Sequence, residues 1–393
     1  MNEAILLALL IFSFGVIIAM VASKKNFAVA ILLGSLILGL AITDQVAHVF
    51  METATDASVL SLIAIVLMIK FLATVMQESG QIKNLILTLQ KKLSYSGVLI
   101  AIPSILGLLP VPGGALMSAP LVHEQGEQSG MKKGEMMFIN LWYRHIWFLI
   151  FPLSPPLVLI ADLSGINLFA IIAMQIPLFA LAFFVGYLFV RKFPAPQKKE
   201  EGPQDAGNLQ GLIPILLTVL LATALSLFIS TYTAFMIALP LGIVVALLYA
   251  GNVNKDMITK GVSVSLGVAI FGIMFFKNII FASGVTDILS SHLTHLPLIV
   301  TITSLSFIIG FLTAHNLAAI GILYPIFSPF LTTPGLVSLL YISSFMGYLI
   351  SPIHPCVVLS YEYFRPGFLE SYKILAPSAI AMVISAALIY GLW

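Results

Sequence analysis

The chain has 393 residues, 60% hydrophobic and only 9% charged, with a mean hydropathy of +1.09 and a formal net charge of +2. So apolar a composition excludes an ordinary soluble globular protein and makes this a polytopic membrane protein. One cysteine, Cys356, excludes an internal disulfide or a Cys-based metal cluster, and no Gly-rich phosphate loop, HExxH, paired-cysteine motif or basic nucleic-acid patch occurs.

A bilayer span needs about 20 mostly apolar residues. In chain order such runs cover 4–22, 27–43 and 57–76. The first lacks a preceding basic region and is followed by Lys24-Lys25, so it is expected to be a retained span. Next comes 93–122, which has no charged residue and is interrupted by Leu109-Pro110-Val111-Pro112-Gly113-Gly114-Ala115. The run 136–161 is broken at Pro152-Leu153-Ser154-Pro155-Pro156, and 166–190 closes the first half. The segment 191–210 mixes charges with Pro and Gly and reads as a solvated cytoplasmic linker.

The second half, 211–393, repeats the plan: runs at 212–230, 234–250 and 261–282, an interrupted run 296–330 around Thr313-Ala314-His315-Asn316, a broken run 336–361 and a last span 374–392. Ser79-Gly80 answers Ser283-Gly284 at an offset of 204, Gly107 answers Gly310 at 203, and Ser154-Pro155 answers Ser351-Pro352 at 197. Their common order points to an internal repeat, with 1–190 as its first copy.

If each interrupted run is a re-entrant hairpin (about 93–122 and 296–330), each half crosses five times and the second copy is inverted. With both termini outside, Lys24, Lys25, Lys83, Lys91, Lys92, Lys132, Lys133 and eight others, 15 of the 18 basic residues, fall in cytoplasmic loops. Full crossings would instead place Lys132 and Lys133 outside. The fold class expected is therefore all-α and polytopic: two inverted repeats, each with five spans, a re-entrant hairpin and a broken helix (about 136–161 and 336–361). Broken helices around a midplane site are the pattern of secondary transporters.

The breaks and tips supply the candidate site. Pro112, Gly113 and Gly114 offer backbone groups, and helix ends freed at the breaks suit anionic groups. Ser154, Thr313, Asn316 and Ser351 are oxygen donors suited to Na⁺, the one cofactor-like ion expected. Proline kinks that merely shape packing are the plainer alternative. Of the basic residues within spans, Lys70 and Lys277 lie within snorkelling reach of an end, whereas Arg144 sits deeper. Arg144 either forks onto a carboxylate or phosphate or anchors its helix at an aromatic belt. His145, His315 and His354 either bind substrate or relay protons, or hydrogen-bond loose backbone at the breaks. No Asp or Glu lies deep in a span, which disfavours a carboxylate proton relay.

The stretch LLPVPGGALMSAPLV, followed by Arg144-His145 and by FPLSPP, resembles an uncharacterised prokaryotic integral membrane family of the ion transporter superfamily. That superfamily includes divalent anion/sodium symporters and the large membrane subunit of tripartite ATP-independent periplasmic (TRAP) transporters. The resemblance spans nearly the whole chain and implies an elevator-type carrier in the inner membrane, dimeric through scaffold helices. The symporters' hairpin tips carry Ser-Asn-Thr-type motifs; here Thr313 and Asn316 keep that polar character and Pro112-Gly113-Gly114 does not. The expected function is secondary transport of a small anionic solute, an organic acid, by symport with Na⁺ or H⁺. The alternatives are a membrane subunit dependent on a soluble binding protein, a carrier of an anionic membrane lipid and, less favoured since no adjacent nucleophile and base are visible, an intramembrane enzyme.

Overall fold

A computed structural model describes residues 3–108, 114–194, 208–284, 288 and 297–391. Every regular element among them is a helix. Polar residues set the starts: Asn26, Asp56 and Asn167 accept backbone N–H bonds from Ala28, Ser58 and Phe169, and Ser230, Asn254, Ser263 and Thr333 cap the helices that follow them. Ser58 donates to the Asp56 carboxylate from both its hydroxyl and its N–H, at 2.7 Å each, and holds that carboxyl below its usual range. Proline occupies the first turn at Pro155, Pro334 and Pro355, where its missing N–H is not needed.

Among the described residues, seven helical stretches are long and apolar enough to cross a membrane, including Ala57–Glu78, Leu168–Val190, Thr231–Ala250 and Phe368–Gly391. The interrupted runs become paired short helices. Tyr95–Leu108 packs on Gly114–Gln128, and Leu298–Thr313 on Asn316–Phe327. At 1.5 Å per residue these arms are roughly 18–24 Å long, short of the ~30 Å hydrocarbon core. The runs at 136–161 and 336–361 are each broken as expected, into Lys133–His145 and Pro155–Ser164, and into Pro334–Ile350 and Pro355–Phe364.

Sequence reading missed three short helices, Val46–Thr55, Gln81–Lys92 and Lys255–Gly261, and the 3-10 turn Ile146–Leu149. Too short and polar for spans, the helices link neighbouring ones. Lys260 reaches Asp256 and Glu78, both at 3.1 Å, tying its helix to Ala57–Glu78; the two carboxylates push the Lys260 ammonium pKa up.

The helices of the two halves pack crosswise. Phe27–Ile42 lies on Val264–Ala282 and Ala57–Glu78 on Thr231–Ala250. Each first arm packs on the leading segment of its own broken helix: Tyr95–Leu108 on Lys133–His145, Leu298–Thr313 on Pro334–Ile350. Each second arm packs on the trailing segment from the other half: Gly114–Gln128 on Pro355–Phe364, and Asn316–Phe327 on Pro155–Ser164. The innermost helices are buried on all sides, Asn316–Phe327 and Pro334–Ile350 most fully, while Leu40, Leu220 and Leu248 point outward from the peripheral ones. In a membrane those outward faces meet lipid.

Glycine permits the closest crossings. A Cβ on Gly107 would collide with the carbonyl of Arg144, and one on Gly310 with that of Ser344. The two glycines that align in sequence thus both lie against the backbone of the adjacent broken helix.

Candidate functional site

The second hairpin tip, the flanks of the first and both helix breaks meet in the interior. Pro110, Val111, Pro112 and Gly113 lie outside the described residues, but the groups flanking them do not. Gly114 is the buried first residue of its arm and lies against the Arg144 guanidinium, which would collide with any Cβ there. Arg144 is in the last turn of Lys133–His145, 4% exposed, and its Nη1 donates to the Leu106 carbonyl at 2.6 Å. It therefore bridges the end of one arm and the start of the next. It is buried within the protein.

His145, the next residue, points its Nδ1 at the Leu141 carbonyl (2.7 Å), and its ring lies 5.0 Å from that of His354 at the second break. His354 is 1% exposed, with Nδ1 at 3.4 Å from the Leu349 carbonyl and the Tyr348 ring tilted against its own at 4.0 Å between centres. The two histidines thus come together although 209 positions separate them in the chain.

The oxygen donors divide into two groups. Thr313 spends its hydroxyl on its own helix, donating to Ile309 O at 2.8 Å. Ser154, Asn316 and Ser351 are buried, and neither the two serine hydroxyls nor the Asn316 amide makes a hydrogen bond within the described residues. The Tyr341 hydroxyl, which donates to Phe148 O at 2.8 Å, faces both Ser154 and Asn316, placing the first break beside the second tip. A buried polar group without a partner costs free energy, which an ion or solute bound there would offset.

The second tip turns on Ala314, a non-glycine residue at φ +46°, in the left-handed region that L residues seldom occupy. His315 follows as N-cap, its Nδ1 accepting the Ala318 N–H at 3.2 Å, while its ring packs against Phe27 at 5.0 Å. For His315 the capping alternative is realised. A cavity of about 610 Å³ opens beside this tip, lined by Thr313, Ala314 and His315, by Ile353 and Pro355 of the second break, and by Lys24 and Lys25 at its mouth.

Sequence reading overlooked Asn140, Tyr341 and Cys356. Asn140 donates to Ala115 O (3.0 Å) and Ser360 Oγ (3.1 Å) and accepts from Ser118 Oγ, joining the first broken helix to the second arm of the first hairpin and to the second broken helix. A lone amide inside an apolar run was the available signal. Asn140→Ala is expected to cost about 1–3 kcal/mol for each partner left buried and unpaired, seen as a lower melting temperature in detergent with the oligomeric state unchanged. Cys356 stands two residues after His354, across Pro355, and its thiol interacts with His145 and Arg144.

The fold has a solved counterpart. The crystal structure of the Alcanivorax borkumensis YdaH transporter, described as revealing an unusual topology, is 15% identical and matches 89% of this chain and 87% of its own with a TM-score of 0.62. At that identity the likeness is one of fold. No curated protein matches the chain. The profile of the family described as "Protein of unknown function (DUF401)" matches residues 4–392, end to end across the helices described above, and the chain belongs to that family.

Proposed function

We propose that the protein is a secondary active transporter of elevator type that moves a small organic anion in symport with Na⁺ or H⁺. The observation that carries this reading is the convergence of both helix breaks and the second hairpin tip on a buried interior next to the first hairpin's flanks, with the fixed cation Arg144 within it. Arg144 presents a planar donor fork to a carboxylate, the helix starts at Pro155 and Pro355 add N-terminal dipoles, and Ser154, Asn316 and Ser351 offer oxygens for Na⁺. Thr313 retains lone pairs for the same ion. His145 and His354 are the groups that would carry H⁺ instead.

The crosswise packing of corresponding helices supports two inverted repeats, 1–190 and 211–393. The positions of Lys24 and Lys25 at the mouth of the cavity support a cytoplasm-facing opening, with both termini outside an inner membrane. The likeness to the YdaH transporter supports transport as the activity. Outward apolar faces such as Leu220, Leu248 and Leu388 are the surfaces through which scaffold helices would form a homodimer.

The test is uptake of radiolabelled mono- and dicarboxylates into proteoliposomes of the purified chain, under an imposed Na⁺ or pH gradient. Gradient-dependent accumulation is expected. Flux that ignores both gradients would overturn the coupling, and flux that survives both Arg144→Ala and Asn316→Ala would overturn the site. If Na⁺ is the coupling ion, Ser154→Ala and Ser351→Ala should each raise the half-saturating Na⁺ concentration about tenfold, the equivalent of roughly 1.4 kcal/mol for one lost ligand.

A further inference from the structure

We propose that His145 Nε2, His354 Nε2 and Cys356 Sγ form a binding site for one thiophilic transition-metal ion, of which Zn²⁺ is the type. Each of the three residues offers one ligand atom, and these atoms lie within 4.8 Å of one another. Both histidines are 99% buried and each turns Nδ1 toward a backbone carbonyl, Leu141 O at 2.7 Å and Leu349 O at 3.4 Å. A carbonyl accepting from Nδ1–H fixes the tautomer that leaves Nε2 as a lone pair, the usual outer-shell support of a ligating imidazole. His354 Nε2 has no hydrogen bond although it is buried, so it is desolvated without a partner.

The ligand set decides the metal class. Two imidazoles and a thiolate are borderline-to-soft donors that select Zn²⁺ or Cu⁺ over Na⁺, Mg²⁺ or Ca²⁺, which take oxygen ligands. Binding Zn²⁺ forms an S–Zn bond in place of S–H, so each ion bound releases one proton to solvent. Three protein ligands leave a fourth position, and Arg144, engaged with Cys356, makes that position suited to an anion. Ile353 and Pro355, on either side of His354, form part of the wall of the 610 Å³ cavity, and Cys356 is partly exposed, so the cavity is the side from which an ion would approach.

The site shares His145 and His354 with the proposed transport path and lies beside Arg144, yet metal binding is read without any solute, and it has a structural consequence. His145 comes from the first broken helix, whereas His354 and Cys356 flank the second, so a bound ion ties the two breaks together.

The test uses the full chain in detergent, stripped of metal with EDTA and titrated with Co²⁺. One equivalent is expected to give a near-ultraviolet thiolate-to-cobalt charge-transfer band and tetrahedral d–d bands, both abolished by one equivalent of Zn²⁺ and unaffected by Na⁺ or Mg²⁺. Cys356→Ser should remove the charge-transfer band, and His354→Gln should weaken Zn²⁺ binding by more than the roughly 10–100-fold that an outer-shell change costs. His48→Gln, at an exposed helix position, should leave binding unchanged. Absence of the band at saturating Co²⁺, or its persistence in Cys356→Ser, overturns the site. A second measurement needs no variant: Cys356 is the single cysteine, so Zn²⁺ should slow its alkylation by N-ethylmaleimide in the folded wild type, and equal rates with and without Zn²⁺ also overturn the proposal.

Discussion

Arg144→Ala should abolish concentrative uptake while leaving a folded, membrane-inserted protein, and Arg144→Lys should recover the fold more fully than the function. Truncating one member of a buried, hydrogen-bonded charge pair costs about 2–5 kcal/mol, on the order of a hundredfold or more in solute affinity. Lysine keeps the charge but loses the planar fork, so bidentate recognition of a carboxylate is lost with it. Arg144 has a second role that complicates a simple reading: it holds the Leu106 carbonyl and packs over Gly114, bracing both flanks of the first hairpin tip. Alanine removes that brace as well as the solute's partner. The comparison that separates the roles is direct solute binding by calorimetry set against the melting temperature. A role in solute binding predicts that Arg144→Lys loses affinity with its melting temperature near wild type. If both variants melt early and lose affinity in step, the arginine acts through the hairpin alone.

Gly107→Ala and Gly310→Ala are expected to be comparably and severely damaging to stability. The new methyl group would meet main-chain carbonyls, Ser344 O and Arg144 O, and not the movable end of a side chain. Overpacking ordinarily costs about 1–3 kcal/mol, and main chain cannot rotate away, so the upper end or more is expected. Against this, alanine in a helix interior gains only about 0.5–1 kcal/mol over glycine. Gly15, with nothing near its would-be Cβ, supplies the control: Gly15→Ala should be neutral or mildly stabilising. Apparent melting temperatures measured at one scan rate in one detergent rank the three variants. Equal behaviour of Gly15→Ala and Gly310→Ala would show that the helix crossing is looser than the structure draws it.

Much of this architecture was legible in the sequence because its signals are local. Apolar runs are set by the bilayer, and Ser154-Pro155 marks a helix start; its counterpart in the second half is His354-Pro355, not the Ser351-Pro352 that the sequence match pairs with it, since Ser351 ends the preceding helix. Ala314-His315 proved a turn between two short helices, as the polar interruption implied. What was not legible was partnership. A helix such as Pro334–Ile350 is apolar on every side, so its periodicity names no face and no neighbour. For that reason the meeting of His145 with His354, and of Tyr341 with Ser154 and Asn316, could not be read from spacing. Cys356 is silent in the sequence because a single cysteine has no second cysteine to pair with, and His145, which the fold brings to it, lies more than 200 positions away. The first tip's Pro112 and Gly113 lie outside the described residues, so their part in the site rests on the groups around them.

The crosswise packing also sets an order of events during synthesis. The chain is made from its N-terminus, so Gly114–Gln128 is inserted long before Pro355–Phe364, the helix on which it packs, exists. Until then the Asn140 amide lacks its Ser360 partner and Arg144 and His145 have no second break to face. The first half must wait in the bilayer with only its own internal contacts, lacking its partners from the second half, and final consolidation belongs to the last spans to emerge. Contacts that close loops of more than 200 residues are the slow ones to form, so assembly of this interior is a late and concerted step.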